Sequence, residues 1–122
     1  MSFDYYYGSE SEQFNFYRIT KMLFKDKLFS KLSTDVKLLY GLMIDSIGLS
    51  MKNKWVGDEN RVYIIFAVDD IISELYCAKQ KAIKLLDELD VKNGIGLIKR
   101  KWQGLGKPNI LYVKNFITAS NF

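Results

Sequence analysis

The chain has 122 residues, one cysteine and no histidine, and its 18 Lys and Arg against 14 Asp and Glu give a formal net charge of +4. This length fits one domain, and a hydrophobic content of 48% is enough to build a core. A single cysteine excludes an internal disulfide and indicates a reducing compartment, while the lack of histidine excludes the common catalytic triads and histidine metal sites. Since the sequence has neither the ~18 consecutive apolar residues of a membrane helix nor a secretory signal, we expect a cytoplasmic protein with no membrane partner.

The N-terminal segment is polar and aromatic and shows neither a helical nor a strand period. It contains three consecutive tyrosines, Tyr5 to Tyr7, followed by a glycine and alternating serine and glutamate. This composition is typical of segments that do not pack into a core. We therefore predict a flexible arm over residues 1–15 and a single domain over residues 16–122.

Two helical segments are predicted in the first half of the domain. Residues 21–31 are expected to form one or two turns, anchored by the apolar residues Leu23, Phe24, Leu28, Phe29 and Leu32. Ser33 or Thr34 is the predicted N-cap of the next helix. The core-facing residues of that helix recur at helical spacing, and they are Val36, Leu39, Tyr40, Met43 and Ile47. Leu38, Leu42 and Leu49 widen this stripe, which is typical of a central helix packed on two sides.

The second half is predicted to contain a strand, two short helices and a hairpin. Residues 61–66 are β-branched and aromatic and follow a turn at residues 57–60, so they predict a strand. Asp69 or Asp70 is expected to cap a short helix, and after a break at residues 76–77 a second helix runs to a stop at Asn93-Gly94. Residues 95–102 and 109–113 then read as two strands joined by a glycine-rich loop.

This order of elements predicts an α+β fold of the winged helix-turn-helix type. Two helices joined by a tight break form a helix-turn-helix, and the following hairpin supplies the wing. In this architecture the second helix enters the major groove of DNA, and the hairpin flanks it.

Charge in the second helix is distributed as DNA binding requires. At roughly 100° per residue its apolar residues share one side, and they are Ala78, Ala82, Ile83, Leu86 and Leu89. Gln80 and Lys84 then point away from the core, Lys81 flanks them, and Lys79 lies near the core edge. Amide and ammonium groups of this kind recognise base edges and phosphates. The alternative is an ordinary amphipathic helix with a solvated polar face.

The wing carries the rest of the predicted DNA-binding residues. Residues 1–76 have a net charge of −2, whereas residues 77–122 have nine Lys and Arg against three Asp and Glu, a net of +6. The wing candidates for the backbone or minor groove are Arg100, Lys101, Gln103 and Lys107. Trp102 is expected to pack in the core or sheet. A solvated basic face that merely keeps the chain in solution is the alternative interpretation.

No catalytic, metal or cofactor site is predicted, so we do not expect an enzyme. Cys77 lies at the break between the two helices and lacks the histidine that would activate a thiolate. Capping and solvation explain the acidic pairs at residues 58–59 and 69–70. Nicking of DNA is disfavoured because the tyrosines have no histidine metal site beside them.

Four segments resemble a known family. They are residues 14–24 (FNFYRITKMLF), 37–42 (KLLYGL), 49–55 (LSMKNKW) and 61–64 (RVYI). In order and spacing they are similar to the N-terminal domain of RepA-type plasmid replication initiators. The resemblance covers about residues 14–116, nearly the whole chain. Thr20 stands where family members commonly have proline, which affects the geometry of the entry turn.

The resemblance implies a winged-helix domain that binds repeated double-stranded DNA sites in a plasmid origin and starts theta-type replication in a bacterium. Family members are longer and contact host replication proteins through a C-terminal region. Because this chain ends at Phe122, we expect it to be the isolated DNA-binding domain. The resemblance also makes a homodimer an expectation.

Two other functions are compatible with the same fold. A winged helix can serve as a transcriptional repressor, in which case the family resemblance is misleading. A winged helix can also serve in protein–protein contact through its exposed aromatic residues.

Overall fold

The computed structural model describes residues 2–8 and 15–117. In chain order the elements are α1 (Met22–Lys25), a 3₁₀ turn (Lys27–Phe29), α2 (Thr34–Lys52), a second 3₁₀ turn (Asp58–Asn60), β1 (Tyr63–Ile65), α3 (Val68–Leu75), α4 (Lys79–Leu89), β2 (Ile98–Lys101) and β3 (Ile110–Val113). Of the predicted arm, residues 2–8 are exposed. Residues 1 and 9–14 of the arm lie outside the described residues, and so does the Phe14 that opens the first family segment. The last five residues of the predicted domain, 118–122, lie outside them too.

Helix α2 is the central helix of the domain. It begins after Ser33, whose Oγ accepts a hydrogen bond from the Val36 N–H at 3.3 Å, so the predicted N-cap is confirmed. Leu39 and Met43 are fully buried in the core. Leu38 and Leu49 are 40% and 59% exposed, so the predicted second apolar face is buried only in part.

The segment before α2 contributes fewer core residues than expected. Leu23 and Phe29 are buried, but Phe24 and Leu28 are exposed, and the prediction that they anchor the core is wrong. Phe24 has another role, because the Lys37 Nζ lies 4.6 Å from its ring centroid.

The three strands form one antiparallel sheet in the order β1–β3–β2. β3 is central, and its Tyr112 pairs with Tyr63 on one side and Lys99 on the other. All three strands are shorter than predicted. Before β1, for example, Val62 pairs with Val56 in an isolated bridge instead of extending the strand.

Helices α3 and α4 are joined by a turn without glycine. Tyr76 adopts the left-handed conformation (φ 50°, ψ 50°) that glycine commonly supplies at a helix C-terminus. The prediction that Asp69 or Asp70 caps α3 is confirmed for Asp70, although neither residue occupies the N-cap position. The N-cap is Ala67, whose N–H donates to the Asp70 carboxylate at 2.7 Å from within the first turn.

Helix α4 ends at Leu89, before the predicted stop at Asn93-Gly94. Gly94 instead lies against the last turn, where an added Cβ would clash with the Glu88 carbonyl oxygen. The chain then enters β2 and β3, which form the hairpin. The helix pair followed by this hairpin confirms the winged helix-turn-helix fold, and "wing" below means β2, β3 and the loop between them.

Candidate nucleic-acid interface

Helix α4 presents a largely polar face to solvent, with Ile83 partly exposed in it. Its buried side consists of Ala82, Leu85, Leu86 and Leu89. The predicted core face was wrong in detail. Leu85 is buried but was not predicted, whereas Ala78 and Ile83 were predicted to face the core and are exposed. The opposite side still carries Gln80 and Lys84, and we call these two exposed residues the outward face.

One flank of α4 is held against the start of α2. The Lys81 Nζ lies 2.6 Å from a carboxylate oxygen of Asp35, which raises the pKa of Lys81 through a hydrogen bond and charge attraction. About two turns further along α4, the Ser33 hydroxyl donates to the Glu88 carboxylate at 3.2 Å. Lys81 is therefore engaged within the chain, whereas Lys79 at the start of α4 is exposed without an ion pair among the described residues.

The other flank of α4 is held against the wing. Arg100 on β2 donates from Nη2 to Asp90 at 2.7 Å and to Asp87 at 2.9 Å, and its Nε reaches Asp90 at 3.2 Å. The Asp90 side chain is only 5% exposed. Burial would lower the pKa of Arg100, but the hydrogen bonds to Asp90 and Asp87 outweigh it and the pKa is raised. Sequence reasoning placed Arg100 on DNA; the structure gives its guanidinium internal partners.

Lys101 projects from the opposite face of β2 because side chains alternate along a strand. Its Nζ pairs with the carboxylate of Asp58, in the turn before β1. The hydrogen bond to Asp58 raises the pKa of Lys101, and the same bond lowers the pKa of Asp58. The Asp58 N–H also donates to the Tyr112 hydroxyl at 3.1 Å, which ties this turn to the sheet.

The tip of the wing is exposed and free of acidic residues. Gln103 and Lys107 are both exposed there. The Lys107 N–H donates to the Gly104 carbonyl at 3.3 Å and closes a tight turn. Gly104 and Gly106 have φ of +116° and +75°, values that favour glycine.

Two apolar residues of the wing were missed by sequence reasoning. Trp102 is 68% exposed, so the expectation that it packs in the core or sheet is wrong. Leu105 is 94% exposed at the corner of the wing-tip turn. Its position between two glycines was the available signal, since a residue there has no strand neighbour to pack against.

The predicted residues thus fall into two groups. Lys79, Gln80, Lys84, Gln103 and Lys107 are exposed and have no ion pair within residues 2–8 and 15–117. Lys81, Arg100 and Lys101 are paired with carboxylates of the same chain. Across residues 2–8 and 15–117, no group of three or more potential metal ligands is present, and no helix is both long and apolar enough to span a bilayer.

Two solved structures resemble this chain over most of its length. The structure of a Rep–DNA complex is 33% identical with a TM-score of 0.71, and the match covers 92% of this chain and 84% of that one. The N-terminal domain of a DNA-binding protein is 32% identical with a TM-score of 0.70, covering 93% and 85%.

A curated relative is much longer than this chain. It is the 41 kDa protein of Lactobacillus helveticus, which is 26% identical over 94 residues, or 77% of this chain. That match is 27% of the relative, so this chain spans about a quarter of its length. The family model for the N-terminus of replication initiator protein A matches residues 15–122, and the chain therefore belongs to that family.

Proposed function

We propose that this chain binds double-stranded DNA in a sequence-specific manner at repeated sites in a plasmid origin. The observation that carries the proposal is the combination of the exposed outward face, Gln80 and Lys84, with an exposed wing tip that has no acidic residues. Family membership and the likeness to a Rep–DNA complex support it.

In this proposal α4 enters the major groove. The Gln80 amide would contact a base edge, where Gln commonly pairs with adenine in a bidentate manner, and Lys84 would contact a guanine or a phosphate. Lys79 lies in the first turn, where no side chain caps the helix N-terminus, so it and the free backbone amides would face phosphate. Lys107 and Gln103 would hold the backbone or minor groove beside α4.

The domain would act by binding alone, without catalysis, in the bacterial cytoplasm. The protein that contains it would start theta-type replication, recruiting host replication proteins through a region C-terminal to this domain. A homodimer would match pairs of repeated sites.

A duplex titration tests the proposal. The chain is titrated against an origin-repeat duplex and a scrambled duplex of the same length and composition, at several salt concentrations. We expect tighter binding to the repeat, and an affinity for both duplexes that falls steeply with salt because phosphate contacts release counterions. Equal affinity for the two duplexes would contradict sequence-specific binding.

A further inference from the structure

The contacts of Arg100 link the wing to the C-terminal end of α4. Two nitrogens of its guanidinium bond two carboxylates, and one of them, Asp90, is almost completely buried. Asp90 is itself fixed, since its Oδ1 accepts a hydrogen bond from the Val91 N–H at 2.9 Å. A guanidinium held in this way is a rigid link between two elements, because its planar set of donors matches both carboxylates at once.

Asp87 lies on the side of α4 that carries the outward face. It follows Gln80 by seven residues and Lys84 by three, a spacing that places all three on one side of a helix. Its carboxylate is 43% exposed and would repel phosphates if it were unpaired. Arg100 therefore also neutralises the acidic group closest in sequence to Lys84 on that side.

We propose that Arg100 is a positioning residue for DNA binding and does not itself bind DNA. It fixes the angle between the wing and α4, so that Lys107 and the outward face meet one duplex at the same time. The inference rests on the proposed function. It departs from the simplest interpretation of a basic wing, in which every cation contacts phosphate.

Asp90→Asn separates the two roles of Arg100. The substitution raises the net charge by one and removes the buried charge that holds the guanidinium, so that Asp87 is its one remaining carboxylate partner among the described residues. A phosphate-contacting Arg100 would then bind the origin duplex more tightly, whereas a positioning Arg100 predicts binding weaker by about tenfold, the equivalent of one lost contact. Asp69→Asn is the matched control, because Asp69 is exposed in α3 and has no ion pair among the described residues.

Arg100→Lys keeps the charge and gives a second test in case Asp90→Asn fails to fold. A lysine offers one ammonium group and cannot hold both carboxylates in the same plane. We expect weaker binding, because lysine no longer holds the wing at one angle to α4. A phosphate contact predicts instead that lysine preserves the affinity, since the charge is kept.

A distance measurement tests positioning without DNA. Spin labels are attached at Lys84→Cys and Leu105→Cys in a Cys77→Ser background, and the label-to-label distance is measured by pulsed electron paramagnetic resonance. We expect a narrow distribution with Arg100 and a broader or shifted one with Arg100→Gln. An unchanged distribution in that variant, or tighter binding by Asp90→Asn, would overturn the inference. If the unaltered chain binds no duplex, the proposed function fails, and the distance measurement still decides whether Arg100 positions the wing.

Discussion

The exposed cations of the interface and the cations at the base of the wing come from the same basic stretch of sequence but have different surroundings. Lys84 and Lys107 extend into solvent without an ion pair among the described residues. Arg100 and Lys101 are adjacent on β2 and engage carboxylates on opposite faces of the sheet. A local excess of positive charge therefore contains two kinds of groups, those that pair with carboxylates of the same chain and those without an ion pair among the described residues.

The largest effect on binding is expected at the outward face. Gln80→Ala removes a side chain that we place on a base edge, and it should cost about 1–3 kcal/mol of discrimination at one base position. The free energy of unfolding should stay the same because Gln80 is exposed. Competition binding against duplexes with single base changes measures this, and an unchanged preference at every position would contradict the assignment.

The largest effect on stability is expected at the base of the wing. Arg100→Gln leaves the buried Asp90 carboxylate with only its backbone donor, and we expect a loss of about 2 kcal/mol in the free energy of unfolding. Chemical denaturation measures it. Lys84→Gln is the matched control, since it also removes one charge but from an exposed side chain, and its stability should be unaltered. If the two variants were equally stable, the paired and the unpaired cations would not differ in what they contribute to stability.

Tyr40 is another polar group held inside the chain. Its buried hydroxyl donates to the Lys114 carbonyl at 2.6 Å, so Tyr40→Phe should cost about 1 kcal/mol of stability. Burial raises the pKa of Tyr40 from 10.0 to about 12. The folded state thus favours the neutral hydroxyl, and its stabilising contribution is complete below pH 10 and lost as the pH rises towards 12.

The pH dependence gives this prediction its own test. Denaturation curves of the unaltered chain and of Tyr40→Phe are compared between pH 8 and pH 12. The stability difference should shrink above pH 10, because only the unaltered chain gains free energy on unfolding by ionising residue 40. A difference that stays constant across this range would show that the hydroxyl titrates alike in both states.

Lys107 is expected to contribute modestly and without regard to sequence. Lys107→Ala should weaken binding to all duplexes alike and reduce the salt slope by about one, since it removes a phosphate contact. Lys52→Ala is the control, because Lys52 is an exposed lysine at the far end of α2. A selective loss at one base sequence would instead place Lys107 on a base edge.

The sequence predicts the order of elements better than the surroundings of each side chain. The helical spacing in α2 predicts its main buried face, since periodicity follows directly from backbone geometry. In α4 the same spacing predicts Ala82, Leu86 and Leu89 but misses Leu85. The partners of Arg100 depend on how β2 docks against α4. The partner of Lys101, Asp58, lies in a turn 43 residues away. Such contacts join segments that are distant in sequence, so composition and local spacing do not predict them. Trp102 is exposed because β2 ends at the residue before it, and local spacing does not predict where a strand ends.

The smallest effect on stability is expected at Lys101. Comparing Lys101 with Arg100 shows whether an ion pair alone stabilises the wing or whether the carboxylate must also be buried. Lys101 and Asp58 form an ion pair as short as those of Arg100, but both side chains are largely exposed to water. Solvent screens such a pair, and ordering two flexible side chains offsets most of its attraction. Lys101→Ala should therefore leave the denaturation midpoint unchanged at physiological salt, whereas Arg100→Gln lowers it. If the two variants lost equal stability, then pairing alone, and not the burial of Asp90, would account for how the base of the wing is held.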